Sequence, residues 1–278
     1  MPELPEVETV KETLKHLIIG KTIQDVTIRW PKIIKEPDDG EVFTTLLRGE
    51  TFQTIERRGK FIRFILDHYV LVSHLRMEGK YSLEEATAVP DKHTHVIFHF
   101  TDGTQLFYKD VRKFGTMHLF LKGEEWHRPP LLDLGPEPLD EAFTEEVLKQ
   151  AFSKTERMVK AVLLDQKVLV GLGNIYVDEA LFRAGIHPTT KAKTLTQQQI
   201  KTLVESIRAT LSEAVKMGGS SVRTYLNGQG RMGMFQQKLY VYDRAGEPCK
   251  KCGTPIEKIK AAGRGTHFCP SCQVEVRV

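Results

Sequence analysis

Two groups of residues in this 278-residue chain could do chemistry, and they lie at opposite ends of it. The first is Pro2-Glu3, in the opening M-P-E-L-P-E. Removal of Met1 would make Pro2 the N-terminus, with a secondary amine that no internal residue can offer. An α-amino group titrates near pH ~8, against ~10.4 for a lysine side chain, so far more of it is free base at neutral pH. Such an amine can attack an aldehyde-like sugar carbon and form an iminium, the electron sink of Schiff-base catalysis. Glu3 is next to it and could shuttle a proton at the same centre. Many chains begin Met-Pro without chemical consequence, so this pair needs support from elsewhere in the sequence.

The second group is Cys249, Cys252, Cys269 and Cys272, the chain's four cysteines, spaced C-x2-C, sixteen residues, C-x2-C. This is a zinc-ribbon spacing, in which each short turn offers two converging thiolates. Two disulfides are the alternative, which a chain without a signal peptide disfavours. With four protein ligands the ion is expected to be structural rather than catalytic. Lys258, Lys260 and Arg264 lie between the cysteine pairs, on an expected β-hairpin. Gly263 and Gly265 flank Arg264, which could be presented at a turn close to a phosphate.

The elements that must position these residues follow from the pattern. Leu4, Val7, Val10, Leu14, Leu17 and Ile18 recur at spacings of three and four, an amphipathic helix ending near Gly20. Pro5 suits its first turn, and the Pro2 amine would sit at the positive end of the helix dipole, which should depress its pKa. Strands are expected at Thr22–Trp30, Thr51–Arg57, Lys60–Leu66, Val70–Arg76, His95–Thr101, Gln105–Lys109 and Met117–Leu121. Loop is expected around Pro31, Pro37 and Asp38-Asp39-Gly40. So many strands in one block suggest a β-sandwich with the first helix beside it. Arg128-Pro129-Pro130 and Gly135-Pro136-Glu137-Pro138 read as an interdomain linker.

Beyond it the period becomes helical, at Thr144–Phe152, Arg157–Gln166, Ile175–Ala184 and Thr196–Lys216. V-G-L-G-N-I-Y at 170–176 permits a tight turn, with Asn174 placed to cap the next helix and form a phosphate site; an ordinary N-cap is the plainer reading. The glycine-rich stretch Lys216–Gln237 is long for a connection and reads as a lid or a flexible linker. The domains expected are 1–128, a linker at 129–139, 140–237 and 238–278.

Composition is that of an ordinary globular chain, 40% hydrophobic and 27% charged, with a net charge of +4. No apolar run approaches the ~20 residues of a membrane span. Three glutamates among the first eight residues exclude a secretory signal, so a cytoplasmic location is expected. From Lys238 onward eight Lys/Arg face four Asp/Glu, whereas residues 1–237 balance at 32 of each sign. The positive excess therefore sits at the C-terminal end, where a polyanion would be gripped.

Two further clusters stand out: Arg76-Met77-Glu78-Gly79 ends a strand, and Arg112-Lys113-Phe114-Gly115 lies in a basic turn before another. Proteins that extrude a base push apolar wedges into the stack and fill the gap with arginine. Met77 and Phe114 could be wedges and Arg112 the filler; core packing and a solvated face are the alternatives. Arg57-Arg58-Gly59-Lys60 is a basic turn of the kind that is usually just solvated.

Together these residues resemble the bacterial formamidopyrimidine-DNA glycosylase family. The motifs are P-E-L-P-E-V-E at 2–8, R-G-K at 58–60, H-L-R-M-E-G at 74–79 and D-V-R-K-F-G at 110–115. They continue through G-N-I-Y at 173–176 and G-R-G-T with the cysteine ribbon. The related endonuclease VIII group usually opens P-E-G-P-E, so Leu4 favours the purine-directed branch.

The resemblance implies an α+β, multidomain fold. Its parts are an N-terminal β-sandwich with its helix, a helix–two-turn–helix module around Gly171–Asn174 and a C-terminal zinc hairpin. Damaged double-stranded DNA is the expected partner, bound between the halves by a monomer with one structural zinc and no redox or nucleotide cofactor. It further implies that Pro2 attacks the anomeric carbon, Glu3 transfers protons, Lys60 serves the first elimination and Arg264 the second. Asn174, Tyr242, Lys258 and, more weakly, His93 would contact the DNA backbone. Met77, Arg112 and Phe114 would probe the stack, and the loop after Lys216 would cap the lesion. Glu156 departs from the family's basic residue, and Arg157 or Lys160 could replace it. A non-enzymatic zinc-ribbon DNA binder and a metal-dependent nuclease remain the other readings; the latter lacks an Asp/Glu cluster for a two-metal site.

Overall fold

The computed structural model describes residues 1–220 and 233–274. The chain divides into two units, residues 1–133 with 218–233, and residues 134–217 with 234–278.

The first unit opens with α1 (Leu4–Ile18), whose Leu4, Val7, Val10, Leu14 and Ile18 are all buried, as the three–four spacing predicts. Its β-strands form two sheets. One is antiparallel, ordered β1-β7-β8-β6 from Ile23–Ile28, Thr94–Phe100, Gln105–Lys109 and Lys80–Glu84. The other is ordered β2-β9-β5-β4-β3, from Ile34–Glu36, Thr116–Leu121, Tyr69–His74, Phe61–Ile65 and Thr54–Arg58. A single apolar cluster takes Val26, Phe98 and Tyr108 from the first sheet, Ile55, Ile62 and Phe64 from the second, and Val7 and Val10 from α1. Across the layers, Phe64 meets Tyr81 edge-on with ring centres 5.4 Å apart. This is the expected sandwich, with the helix sharing its core.

Three elements of this unit differ from the sequence expectation. Residues 40–47 are a helix, α2 (Gly40–Leu47), beginning where loop was expected. Asp39 caps it by accepting from the N–H groups of Glu41 (2.8 Å) and Val42 (3.1 Å), and only Phe43 and Leu47 are buried. So short an amphipathic stripe leaves little period to read. The second is β2, three residues long and parallel to β9. The third is β6, which pairs with β8 through Tyr81↔Tyr108. Its terminal lysine and glutamate suit a sheet edge and hide the strand pattern.

The second unit holds α3 (Glu145–Ser153), α4 (Val159–Leu163), α5 (Asn174–Ala184) and α6 (Gln197–Lys216). The last begins in a capping box, Thr196 Oγ1 accepting from Gln199 N at 3.2 Å and Gln199 Oε1 from Thr196 N at 2.9 Å. A hairpin of β10 (Glu257–Ala261) and β11 (Arg264–Phe268) follows, turning at Ala262-Gly263 with φ of 51° and 69°. Two consecutive left-handed residues make the hairpin turn that matches strand twist. Arg264 is therefore the first residue of β11, paired with Ala261, rather than the turn itself. The lesion-capping loop expected after Lys216 has its residues 221–232 outside the described residues.

Candidate active site

In the first unit Glu3 is the N-cap of α1 and only 3% exposed. Its N–H donates to Glu6 Oε2 at 2.8 Å, half of a capping box that fixes the chain just after Pro2. The other oxygen of Glu6, Oε1, accepts from Ser220 N at 2.7 Å. Gly219 is required beside it: φ is +77°, and a β-carbon there would lie 2.6 Å from Glu6 Oε1. Glu6 is thus a buried carboxylate that organises Glu3, and the helical period of α1 gave no sign of it.

Lys60 lies in the turn between β3 and β4 and is 7% exposed. The basic run around it is not a solvated face. Arg57 reaches back to α1, Nε donating to Glu8 Oε2 at 2.8 Å and Nη1 to Gly59 O at 3.0 Å. Opposite Phe61, the first residue of β4, stands His74. Its Nδ1 accepts the Arg76 N–H at 2.9 Å, so the ring is neutral there. Burial, then the charges of Arg76 and Lys60, push its pKa down to about 3.

This has a stability consequence. An unfolded histidine titrates near 6.5. Below that pH the unfolded chain takes up a proton that the folded one refuses, so stability falls progressively as pH drops from 6.5 toward 3. By pH 5 the loss from this one group should be about 2 kcal/mol. Thermal unfolding at pH 7 and pH 5 should show a smaller difference for His74→Asn than for the unmutated protein. Equal differences would assign the acid sensitivity to other groups.

Met77 and Phe114 are 37% and 52% exposed, so neither is a core residue. The Arg112 guanidinium lies 4.8 Å from the Phe114 ring centre, a cation–π contact within one turn. Lys113 turns away and sits 4.0 Å from the Trp30 ring centre. His93 joins the same region through its carbonyl, which accepts from Asp110 N at 2.9 Å. Asp110 itself is 1% exposed, a second buried carboxylate that spacing did not single out.

In the second unit the expectation for Asn174 is corrected. Gly173 is the N-cap of α5, and Asn174 is the first helical residue. Its Nδ2 donates to Gly265 O at 2.9 Å, joining the helix start to β11 instead of closing the helix end. The preceding turn is held by Gln166, whose Oε1 accepts from Gly171 N and whose Nε2 donates to Leu172 O, at 2.9 and 3.0 Å. Lys258 is exposed on β10, with Cε 3.2 Å from where a Gly265 β-carbon would lie. Asn174, Lys258 and Arg264 therefore gather about one glycine. Tyr242 is set by Glu179, whose carboxylate accepts the N–H groups of Tyr240, Val241 and Tyr242, each at 2.9 Å. Burial raises the Glu179 pKa in spite of those donors.

Lys160 cannot replace the basic residue missing at Glu156. Its side chain is 0% exposed and donates to Asp178 Oδ1 at 2.6 Å and Thr266 Oγ1 at 2.7 Å. Asp178 Oδ2 also accepts from His267 N at 2.9 Å, so this buried pair ties α4 and α5 to β11. Glu156 is exposed and bonded to Lys193, while Arg157, also exposed, donates to Asp165 Oδ2 at 3.1 Å.

The four cysteine sulfurs converge within 4.8 Å of one another. Cys249 and Cys272 are 3.9 Å apart and Cys252 and Cys269 3.5 Å, well beyond the ~2.05 Å of a disulfide. A tetrahedron with zinc–sulfur bonds of ~2.3 Å has edges of ~3.8 Å, which these separations fit. Burial, then the neighbouring sulfurs, push the Cys272 thiol up to about 12, whereas hydrogen bonds from Thr254 hold Cys252 down to about 6. The site is structural, because Cys249 and Cys269 pack with Phe182, Val241 and Ile256 in one apolar cluster.

Comparison with known proteins agrees with this anatomy. Residues 1–117 match the formamidopyrimidine-DNA glycosylase N-terminal domain and 134–226 the formamidopyrimidine-DNA glycosylase H2TH domain. Residues 246–274 match the zinc finger found in FPG and IleRS. The chain is 62% identical over 275 residues to the formamidopyrimidine-DNA glycosylase of Bacillus subtilis, covering 99% of this chain and 100% of that one. It is 60% identical over 273 residues to that of Shouchella clausii, covering 98% and 99%. Among solved structures, a Lactococcus lactis FPG variant in complex with a Fapy-dG containing DNA superposes with a TM-score of 0.93 at 44% identity, covering 99% of this chain and 100% of that one. The complex between Lactococcus lactis Fpg and an abasic site containing DNA gives 0.92 at 44%, covering 98% and 100%. By its Pro-Glu start, its H2TH module, its four-cysteine hairpin and its identity to full-length relatives alike, this chain belongs to the formamidopyrimidine-DNA glycosylase family.

Proposed function

We propose that this protein extrudes oxidised purines, such as 8-oxoguanine and formamidopyrimidines, from duplex DNA, cleaves the glycosidic bond and then nicks the strand. The observation that carries the reading is Pro2-Glu3 at the head of α1, with Glu3 buried and held by Glu6. Once Met1 is removed, the Pro2 nitrogen forms a bond to the anomeric carbon as the base departs with the glycosidic electron pair. Glu3 moves a proton at the sugar, which opens to leave a carbon–nitrogen iminium. That iminium acidifies the neighbouring carbon, and two successive eliminations expel the flanking phosphates, Lys60 serving the first and Arg264 the second. Asn174, Tyr242, Lys258 and His93 hold the backbone, and Met77, Arg112 and Phe114 occupy the space the base leaves. The zinc ion, held by the four cysteines, supplies a crosslink and takes no part in the reaction.

The working divisions are proposed as 1–128 for the sandwich, 129–139 for the linker, 140–237 for the helical module and 238–278 for the zinc hairpin. Among the described residues no helix is long and apolar enough to cross a membrane. The bacterial relatives and a DNA substrate favour the cytoplasm, at the nucleoid.

The experiment is chemical capture. Borohydride should reduce the iminium to a stable amine, giving a protein–DNA adduct with lesion duplex and none with undamaged duplex. Its attachment should map to the N-terminal peptide, although lysines outnumber that terminus, because more of its amine is free base at neutral pH. Attachment at Lys60 would overturn the nucleophile and leave the activity standing. Binding without adduct or cleavage would identify a non-enzymatic DNA binder.

A further inference from the structure

Two turns of the first unit carry Met77 and Phe114, both exposed, and they share an unusual design. In each, the residue just before the apolar one is a non-glycine in left-handed backbone, Arg76 (φ 53°) before Met77 and Lys113 (φ 59°) before Phe114. Such a conformation persists only where its surroundings over-determine it. The surroundings of both turns converge on Tyr108, fully buried, and Asp110. A β-carbon on Gly79 would lie 2.3 Å from the Tyr108 hydroxyl oxygen, and one on Gly115 would lie 1.7 Å from the same atom. The backbones of both turns therefore press on one phenolic oxygen. Asp110 completes the arrangement: Oδ1 accepts from Arg112 N at 3.1 Å, and Oδ2 from Gly115 N at 2.7 Å and from the Tyr108 hydroxyl at 3.4 Å. His95 Nε2 contacts the Asp110 carbonyl at 2.7 Å, which fixes the aspartate's own backbone.

We infer that Tyr108 and Asp110 are positioning residues that lock the 76–79 and 111–115 turns together, so that Met77 and Phe114 enter the duplex as one probe. The inference rests on the proposed base extrusion and concerns how the protein performs it. An unlocked pair would have to order two turns separately while unstacking the helix. A locked pair is ordered beforehand, so the cost of insertion is met once.

The consequence is a specific non-additivity. Single-turnover excision would be measured on a duplex carrying 8-oxoguanine opposite cytosine, and strand cleavage on a duplex with a pre-formed abasic site. Met77→Ala and Phe114→Ala should each slow excision, and the double variant should be faster than the product of the two losses by about fivefold or more. In a Tyr108→Phe background, which removes one oxygen and keeps the ring, the two losses should multiply. Tyr108→Phe alone should slow excision by about fivefold, the order of one ordinary hydrogen bond of ~1 kcal/mol. It should leave abasic-site cleavage within about twofold, since no base must be unstacked there. Asp110→Asn should behave like Tyr108→Phe, and its thermal unfolding would show whether it remains folded. Losses that multiply already with Tyr108 present, or coupling that survives Tyr108→Phe, would overturn the inference while excision stands. Absence of excision by the unmutated protein would overturn it together with the proposed function.

Discussion

A protein that keeps any residue ahead of Pro2 should bind lesion DNA with little change and cleave none of it. The nitrogen is then an amide, whose lone pair is delocalised into the carbonyl and cannot attack carbon. A positioned nucleophile acts at an effective concentration of ~10⁵ M or more, so amines in the buffer would not rescue the reaction. Pro2→Gly, with an amine of poorer fit, should retain part of the borohydride capture. Glu3→Gln tests the proton instead. Glutamine preserves the size of a side chain that is 3% exposed, and the Glu3 N–H can still donate to Glu6. Excision should fall by ~10²–10⁴, the usual worth of general acid–base catalysis, with affinity for the lesion duplex retained. Measured together under single turnover, the two variants separate nucleophile from proton shuttle. Full activity in the N-terminally extended protein would remove Pro2 from the mechanism.

The two ends of the chain were legible in the sequence because their signals are local. A three–four apolar period marks α1, and two C-x2-C pairs mark the zinc site at any fold. Apolar residues beside an arginine, at a strand end and in a basic turn, also marked Met77 and Phe114, whose exposure removes core packing as the alternative. What remained hidden are the buried charges that hold functional residues in place. Glu6, Asp110, Asp178 and Glu179 are all less than 5% exposed, yet each is written as an acid within or beside an ordinary amphipathic run. For Glu6, Asp178 and Glu179 the partners include residues distant in sequence, Ser220, His267 and Tyr240, whereas Asp110 holds its own turn through Arg112 and Gly115. Periodicity reports which face is apolar and carries no information on such pairings. The Asn174 expectation failed for a related reason. A helix-starting asparagine usually bonds its own helix, but here a strand ninety residues later presents the Gly265 carbonyl to it.

The largest loss of stability should come from one of these hidden charges, in Lys160→Met. Methionine fills most of the same volume, so packing is nearly conserved, but Asp178 loses its cation in a site with no solvent exposure on either side chain. Breaking a buried pair from one side typically costs ~3–5 kcal/mol, because an uncompensated charge is left behind. The cost should fall on the second unit, since Asp178 Oδ2 accepts from His267 N and Lys160 bonds Thr266, both on the strand that begins at Arg264. Zinc should therefore be released to a chromogenic chelator faster than from the unmutated protein, and affinity for duplex DNA should drop with it. Lys160→Met/Asp178→Asn separates charge from packing. Asparagine keeps an acceptor for the His267 N–H and removes the stranded negative charge, so the double variant should be more stable than Lys160→Met alone. If the pair mattered only through packing, the double variant would be the less stable of the two. Zinc release at the unmutated rate in Lys160→Met would show that the hairpin does not depend on this bond.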